Sequence, residues 1–299
     1  MDPFQFIDNP VPWPNGARCA VAFTFDVDVD SGLIFNNRDT AVTRVCAASA
    51  LHSEIKVGIP RLVKLFRAFG LQQTFFVPGW CLDQYPEIAT ALVDEGHEIG
   101  HHGYLHEKLN MLEEAEERKA IQKGIAAIIN RTGKRPRGFR APSWAFSKHT
   151  LKILLDEGLD YDSSLLGGEM PYLLADGERR MIELPVDTAL DDWNQFVSLR
   201  DFNQVMPIAS PGAGFEVYRA EFDAAWKYGL SWISVWHPFV TTRLSRLDEM
   251  IKLMEYMKEK GGVWFATLEQ ISDHLKQCMD GGWAPHVEAL PNVKYAPSS

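Results

Sequence analysis

Two spacings of hydrophobic residues alternate along this chain. Residues 19–25 form an unbroken apolar run of the kind that is buried in a parallel sheet. Residues 59–69 instead place apolar side chains at helical spacing and stop before Gly70, which is typical of a helix C-terminus. The alternation continues to residue 266, and it predicts a parallel sheet covered by helices, either open or closed into a barrel.

The element boundaries follow from glycine, proline and capping residues. Strands are predicted over residues 19–25, 74–77, 98–101, 138–140, 181–186, 230–236 and 263–266. Helices are predicted over residues 59–69, 86–95, 112–132, 148–157 and 245–260, and a capping box between Thr267 and Gln270 opens a last helix. Residues 31–56 and 195–215 are interpreted as loops, 1–18 as an N-terminal arm, 19–278 as one catalytic domain and 279–299 as a tail.

Composition narrows the class of protein. The chain has 299 residues and a net charge of -10 without a Lys/Arg block, which argues against nucleic acid as a partner. No apolar stretch is long enough for a membrane span, and the first residues do not resemble a signal peptide. The cysteines Cys19, Cys46, Cys81 and Cys278 lack metal-site spacing and are interpreted as reduced thiols. A cytoplasmic protein is therefore expected.

Carboxylates follow the first predicted strand. Asp26 and Asp28 are two residues apart, so both side chains point to one face of a strand and can enter one pocket. One carboxylate can bind a cation while the other accepts a proton from water. Asp30 continues the pattern, and the sequence leaves open whether Asp26 or Asp30 is the base. No complete calcium-binding loop is present, so the alternative of a calcium site is weaker.

A cluster of histidines follows the strand predicted at 98–101. His102 and His106 are four residues apart, which predicts that they share one helical face and can bind one metal ion. Two neutral imidazoles and one carboxylate leave coordination positions open, as hydrolytic metal sites require. An isolated pair with this spacing is more often structural, but the aspartates after the first strand favour a metal site. His101 is expected to point elsewhere and to pack.

Other polar residues follow later strands. Arg140 can orient a catalytic carboxylate or form a structural ion pair. His237 can donate a proton to a leaving nitrogen, and Asp192 offers a carboxylate to hold it, although a histidine before proline is often structural. Ligands gather where parallel strands end, so one shared site is predicted. Ser143, Trp144 and Trp193 are its candidate substrate-binding residues.

These segments, in this order, resemble the five motifs of the polysaccharide deacetylase family, the NodB-homology type of carbohydrate esterase. The resemblance covers about residues 20–275 and implies a distorted (β/α) barrel. It implies that Asp26 is the base and that Arg140 orients it. It implies that one divalent ion, such as Zn²⁺, is bound by Asp28, His102 and His106. It also implies that His237 is the acid, with Asp192 beside it. The family has adjacent aspartates where Val27 intervenes here, and this sequence looks most like an intracellular branch.

That branch includes a peptidoglycan deacetylase-like protein and enzymes acting on allantoin and cyclic imides, and its members associate, which implies a homo-oligomer. The expected reaction is hydrolysis of a carbon–nitrogen amide bond, with a backbone N–H near Ser143 stabilising the oxyanion. Two substrate classes remain open: an N-acetylated amino sugar of the peptidoglycan type, or a small cyclic amide or imide. A non-catalytic metal- or sugar-binding protein is the third alternative.

Overall fold

The computed structural model describes residues 5–202 and 204–291. The outer ends of the predicted arm and tail, residues 1–4 and 292–299, lie outside the described residues. Eleven strands occur in the described part: β1 (Cys19–Ala22), β2 (Thr24–Asp26), β3 (Thr74–Val77), β4 (Glu98–His101), β5 (Gly138–Phe139), β6 (Tyr161–Asp162), β7 (Tyr172–Asp176), β8 (Arg179–Glu183), β9 (Ser231–Ile233), β10 (Val263–Phe265) and β11 (Val287–Ala289).

The helices lie mostly between the strands, as the alternating pattern predicts. They are α1 (Ser31–Asn36), α2 (Val45–Leu51), α3 (Ile59–Phe69), α4 (Gly79–Gln84), α5 (Glu87–Val93), α6 (Glu114–Thr132), α7 (Thr150–Asp156), α8 (Asp192–Phe196), α9 (Pro211–Tyr228), α10 (Pro238–Thr241), α11 (Leu244–Lys260) and α12 (Leu268–Asp280). The predicted capping box is confirmed, because the Thr267 side chain and the Gln270 side chain each accept the other's backbone N–H. No helix among the described residues is both long and apolar enough to cross a bilayer.

The first strand joins two sheets. β1 lies between β10 and β9, whereas β2, one residue further on, pairs with β3. The larger sheet has the order β11-β7-β8-β6-β5-β4-β3-β2 and is parallel except for the β7–β8 pair. Beyond β9 the chain continues alongside β2, where Asp26 N–H donates to the Trp236 carbonyl at 2.8 Å and Phe25 bridges to Trp236. The strands thereby curl into a distorted barrel.

Some predicted elements differ from the observed ones. The interpretation of residues 31–56 as a loop is wrong: this segment contains α1, α2 and a π-helical turn, Glu54–Gly58. These pieces are too short to show a helical repeat. The strand predicted at 181–186 occupies residues 179–183 and pairs antiparallel with β7, which was not predicted. Helix α9 begins within the predicted 195–215 loop, after the N-cap residue Ser210.

Two kinds of contact organise the barrel interior. Near the start of the strands, the buried Glu98 carboxylate accepts hydrogen bonds from the Thr74 and Tyr161 hydroxyls, both at 2.7 Å, and from the Glu269 N–H at 3.0 Å. Glu98 thus fixes the start of α12 to β3 and β6. Aromatic rings fill the side of the barrel that α3 covers, where Phe25 stacks on Phe75 at a centroid distance of 5.2 Å.

His97 is a buried histidine remote from the carboxyl ends of the strands. Its Nδ1 accepts the Gln73 N–H at 3.0 Å, and its ring lies against Phe66 and Phe75. Burial lowers the pKa of His97 to about 4. A protonated ring would lose the acceptor for Gln73, so the folded protein keeps this histidine neutral.

We therefore expect His97 to contribute to acid destabilisation. Its folded pKa lies below the unfolded value, so the unfolded chain binds more protons between about pH 6.5 and pH 4, and the free energy of unfolding falls as the pH is lowered through that window. His97→Asn keeps an acceptor near Gln73 but does not titrate, and should flatten the slope measured by chemical denaturation. His286→Asn, at an exposed histidine, should leave the slope unchanged; equal slopes in wild type and His97→Asn would contradict the assignment.

Candidate active site

A cavity of about 490 Å³ opens where the parallel strands end. Its floor and walls bring together side chains from segments far apart in the sequence. The chemically active residues that line it are Asp26, Asp28, His102, His106, Asp191 and His237. This is the edge of the sheet at which the sequence predicted one shared site.

Asp26 is the last residue of β2 and lies next to Arg140. Its Oδ1 accepts a hydrogen bond from Arg140 Nη1 at 3.0 Å, and its Oδ2 lies 3.8 Å from His102 Nε2. Arg140 is fully buried; its Nε donates to the Ser163 carbonyl at 2.9 Å and its Nη1 donates to the Thr24 hydroxyl at 2.6 Å. Arg140 is therefore fixed by its neighbours and holds one edge of the Asp26 carboxylate.

Asp30 does not belong to this group. Its carboxylate contacts His52 Nε2 at 2.9 Å and accepts a hydrogen bond from the Tyr85 hydroxyl at 3.1 Å, and it does not line the cavity. The structure therefore places only one of the two candidate bases, Asp26, at the site.

His102 and His106 both face Asp28, but they do not share a helix. The prediction of a common helical face is wrong, because residues 102–106 form a turn after β4 in which Gly103 and His106 have positive φ. His102 Nε2 lies 3.5 Å from Asp28 Oδ1, and His106 Nε2 lies 3.3 Å from Asp28 Oδ2. The turn, rather than helical periodicity, brings the two imidazoles together.

The Glu107 side chain and the backbone of α1 hold that turn in place. The Glu107 carboxylate accepts the N–H groups of Tyr104 and Leu105, both at 2.9 Å. Gly32 of α1 lies against the His106 ring, where an added Cβ would be 3.3 Å from Nδ1. The lack of a side chain at Gly32 lets α1 approach the imidazole closely. His101 points away and donates to the Ile121 carbonyl at 2.8 Å, which confirms its packing role.

The donor set of Asp28, His102 and His106 fits a divalent ion. Their ligand atoms lie within 4.8 Å of one another, and Asp28 Oδ1 is buried without a hydrogen-bond partner among the described residues. Two ligands about 2.1 Å from a tetrahedral ion lie about 3.4 Å apart, close to the observed separations and longer than ordinary hydrogen bonds. His102 Nδ1–H donates to the Arg140 carbonyl at 2.8 Å, which directs Nε2 toward Asp28.

Electrostatics within this set favour a charged carboxylate. Burial opposes ionisation, but His106, His102 and His237 hold the pKa of Asp28 well below its usual value. Burial lowers the pKa of His102, although Asp26 and Asp28 act in the opposite direction. A neutral imidazole beside an ionised carboxylate is the form in which both groups bind metals.

His237 forms the opposite side of the site. Its Nδ1 lies 2.8 Å from Asp192 Oδ1, and its backbone N–H donates to the same carboxylate. The completely buried Asp192 also accepts a hydrogen bond from the Thr241 hydroxyl. Asp191, Asp192 and His237 form a second group whose ligand atoms lie within 4.8 Å of one another, but hydrogen bonds explain this proximity without a metal ion. With Nδ1 bound to Asp192, Nε2 faces Asp28, whose Oδ2 is 3.8 Å away.

The candidate substrate-binding residues line the cavity walls. Trp193 packs edge-on against the His237 ring at a centroid distance of 5.2 Å, while Ser143 and Trp144 lie on the wall that follows β5. Ser143 and Trp144 have φ of 53° and 52°. Of the described non-glycine residues with positive φ, all but Asn15 line this cavity, which shows that backbone strain is concentrated there.

Sequence reasoning named Asp191 only as part of the segment that offers a carboxylate to His237, and it missed other residues at the site altogether. Asp191 accepts the Trp193 N–H at 2.8 Å and faces the cavity, and burial raises its pKa to about 7. Glu54 lies beneath Asp28 in the π-helical turn and is completely buried. Asn37, Asp201 and Phe202 line the outer part of the cavity. The Asp191-Asp192 pair was a visible signal, whereas a lone glutamate in an irregular segment gave none.

Comparisons with known proteins identify the family of this chain. The sequence profile of the polysaccharide deacetylase family matches residues 49–161. The peptidoglycan deacetylase of Helicobacter pylori is 30% identical over 245 residues, which cover 73% of this chain and 83% of that protein. The peptidoglycan deacetylase-like protein FGM2 of Gibberella zeae is 28% identical over 61% of this chain and 60% of its own length.

Solved structures give the same result for the fold. A Mycobacterium smegmatis protein of the polysaccharide deacetylase type superposes with a TM-score of 0.90 at 38% identity, covering 95% of this chain and 98% of that chain. An allantoinase, PuuE, superposes with a TM-score of 0.80 at 22% identity, covering 91% and 95%, and shows the shared fold. The predicted distorted (β/α) barrel is confirmed, and the chain belongs to the polysaccharide deacetylase family.

Proposed function

We propose that this protein is a metal-dependent hydrolase of a carbon–nitrogen amide bond. The observation that carries the proposal is the convergence, in one cavity, of a metal-fitting donor set with a carboxylate on one side and a histidine on the other. Membership of a deacetylase family supports amide hydrolysis. Zn²⁺ as the ion, a cytoplasmic location and a homo-oligomeric state belong to the same proposal and are supported by the sequence resemblance.

Asp28, His102 and His106 would hold the ion. When bound, a divalent ion supplies Lewis-acid polarisation of the scissile carbonyl and makes water more acidic. The chain's own residues keep this donor set in place: the Arg140 carbonyl fixes the His102 ring, and the turn at 102–106 fixes His106.

Asp26 is proposed as the base. Arg140 occupies Asp26 Oδ1, so Oδ2 is the oxygen that faces the donor set. This oxygen would take a proton from the attacking water. Arg140 restrains the rotation of the carboxylate and therefore keeps it aimed at the same point throughout the reaction.

His237 is proposed as the acid that protonates the leaving nitrogen at its Nε2. Burial opposes protonation, but the hydrogen bond to Asp192 and the charges of Asp192, Asp191 and Asp28 raise the pKa of His237 well above its usual value. These contacts favour the protonated form of the ring, which is the form an acid needs. Asp192 fixes the orientation of the ring, and the Trp193 indole covers one side of it. Backbone N–H groups near Ser143 are the proposed oxyanion donors.

The proposed substrate is an N-acetylated amino sugar of the peptidoglycan type, as the names of the curated relatives suggest. One observation favours the second candidate, a small cyclic amide or imide. The Asp201 carboxylate pairs with Arg44, and the Asn37 amide donates to the Asp201 carbonyl at 3.5 Å. This bridge joins the segment after α1 to the segment after α8, and both Asn37 and Asp201 line the cavity. We infer from this link that the cavity takes a compact substrate.

Replacing the base should stop the reaction without releasing the ion. Asp26→Asn is expected to lower kcat by about 10²- to 10⁴-fold, the usual contribution of a general base, while the bound metal content measured by elemental analysis stays at the wild-type level. Asp30→Asn is the matched control, because Asp30 lies outside the cavity, and it should retain wild-type turnover. An active Asp26→Asn variant beside an inactive Asp30→Asn variant would reverse the assignment of the base.

Removing a ligand should release the ion. Asp28→Ala or His106→Ala is expected to weaken Zn²⁺ binding by more than the roughly 10- to 100-fold that follows from losing an outer hydrogen-bond partner. Calorimetric titration of metal-free protein measures this, and His52→Ala, at a histidine outside the cavity, should bind as wild type does. Full Zn²⁺ affinity in both ligand variants would exclude this donor set. A metal-loaded wild type that hydrolyses neither substrate class would instead support a binding protein.

Breaking the bridge over the cavity should change substrate size preference. Arg44→Ala removes an ion pair whose two side chains are 29% and 32% exposed; partly solvated pairs of this kind contribute little to stability, so the fold should tolerate the change. We expect kcat/KM for an N-acetylated oligosaccharide to rise relative to that for a small cyclic imide by on the order of tenfold. Arg38→Ala, in the same segment but without a contact to Asp201, should leave the ratio unchanged. The compact-substrate candidate fails if wild type already prefers the oligosaccharide.

A further inference from the structure

Glu54 is a buried carboxyl group between two turns of the active site. It begins the π-helical turn Glu54–Gly58 and has no exposed surface. Its Oε2 accepts the Val29 N–H at 2.7 Å, while Oε1 has no hydrogen-bond partner that satisfies ordinary geometry among the described residues. A buried carboxyl group with so few partners is costly, and π-helical turns occur frequently at functional sites.

The contact with Val29 acts on the residue next to the metal-fitting aspartate. Val29 has a φ of 44°, a strained conformation that is rare for a β-branched side chain. The preceding carbonyl, that of Asp28, accepts the Ser31 hydroxyl at 2.7 Å and the Cys81 thiol at 3.1 Å. The Asp28–Val29 peptide is therefore held at its oxygen by these two side chains and at its nitrogen by Glu54.

The other side of the π-helical turn lies against the segment that follows His237. A Cβ on Gly58 would be only 2.8 Å from the Pro238 Cβ, so the two backbones are in direct contact. The Phe239 N–H also faces the Glu54 carboxyl and favours its charged form, as the Val29 N–H does. Burial and the charge of Asp28 oppose ionisation and raise the pKa of Glu54 well above its usual value.

We propose that Glu54 is a positioning residue that sets the Asp28 turn at a fixed distance from the His237 turn and so aims both Asp28 oxygens at the imidazoles. This inference rests on the proposed function in one respect, the role of Asp28 as a metal ligand. Glu54 is not itself a ligand, because it belongs to neither group of described residues whose ligand atoms lie within 4.8 Å of one another. Its effect on the ion is exerted through the Val29 N–H.

Two conservative variants separate the reach of this side chain from its ability to ionise. Glu54→Gln keeps the length and an acceptor oxygen for the Val29 N–H but cannot ionise. Glu54→Asp keeps the carboxyl group but is one methylene too short to reach. If Glu54 acts by positioning, Zn²⁺ affinity follows reach: Glu54→Gln should bind Zn²⁺ like wild type, and Glu54→Asp should bind it at least about tenfold more weakly, as expected for an outer partner of a ligand.

Glu98→Asp is the matched control. Glu98 is another buried carboxylate with several donors, and it lies at the start of β4, away from the ligands. Both Asp variants should lower the thermal unfolding midpoint of metal-free protein, but only Glu54→Asp should weaken Zn²⁺ binding in calorimetric titration. Equal affinity in Glu54→Asp and wild type, or a loss in Glu54→Gln alone, would overturn the positioning role. A wild type that binds no Zn²⁺ would overturn the proposed function itself, which is a different result.

Discussion

The burial of two carboxylates at the end of one strand is the constraint on which the site depends. Asp26 and Asp28 are almost inaccessible to water, and an uncompensated buried carboxylate is costly. Arg140 supplies one permanent positive charge and is itself held by Thr24 and Ser163. Among the described residues, the ion-pair partners of the second carboxylate, Asp28, are imidazoles, and an imidazole supplies positive charge only when it is protonated. A divalent cation satisfies this demand with neutral rings, so the charge balance and the donor geometry favour the same occupant.

The barrel brings the other polar side chains of the site to these two carboxylates, because its parallel strands end at one edge. Asp26 ends β2, the histidine turn follows β4, and Arg140 follows β5. The sequence predicted their convergence because parallel strands deliver their final residues to the same edge, whatever the details of each loop. The same reasoning placed His237, although β9 ends four residues before it and only isolated bridges continue the pairing.

Features that depend on local backbone geometry were not predictable in this way. The spacing of His102 and His106 matched a helix, but Gly103 and His106 adopt left-handed conformations that no periodicity reveals. The position of Asp30 outside the cavity depends on tertiary contacts with His52 and Tyr85, which are distant in sequence. Glu54 lies in a segment whose helices are too short to give a repeat, and its contact with Val29 depends on a single turn of π-helix.

The strand interrupted at Phe23 also governs how this chain reaches its native state. β1 precedes the other described strands, yet it pairs with β9 and β10, so that Cys19 aligns with Val263. Both neighbours are synthesised much later than β1, and until then its apolar edges have no native partner. Such pairing between distant parts of a chain slows folding and leaves aggregation-prone edges exposed. β1, which leads directly into the strand that carries Asp26, is thus made well before the two strands that enclose it.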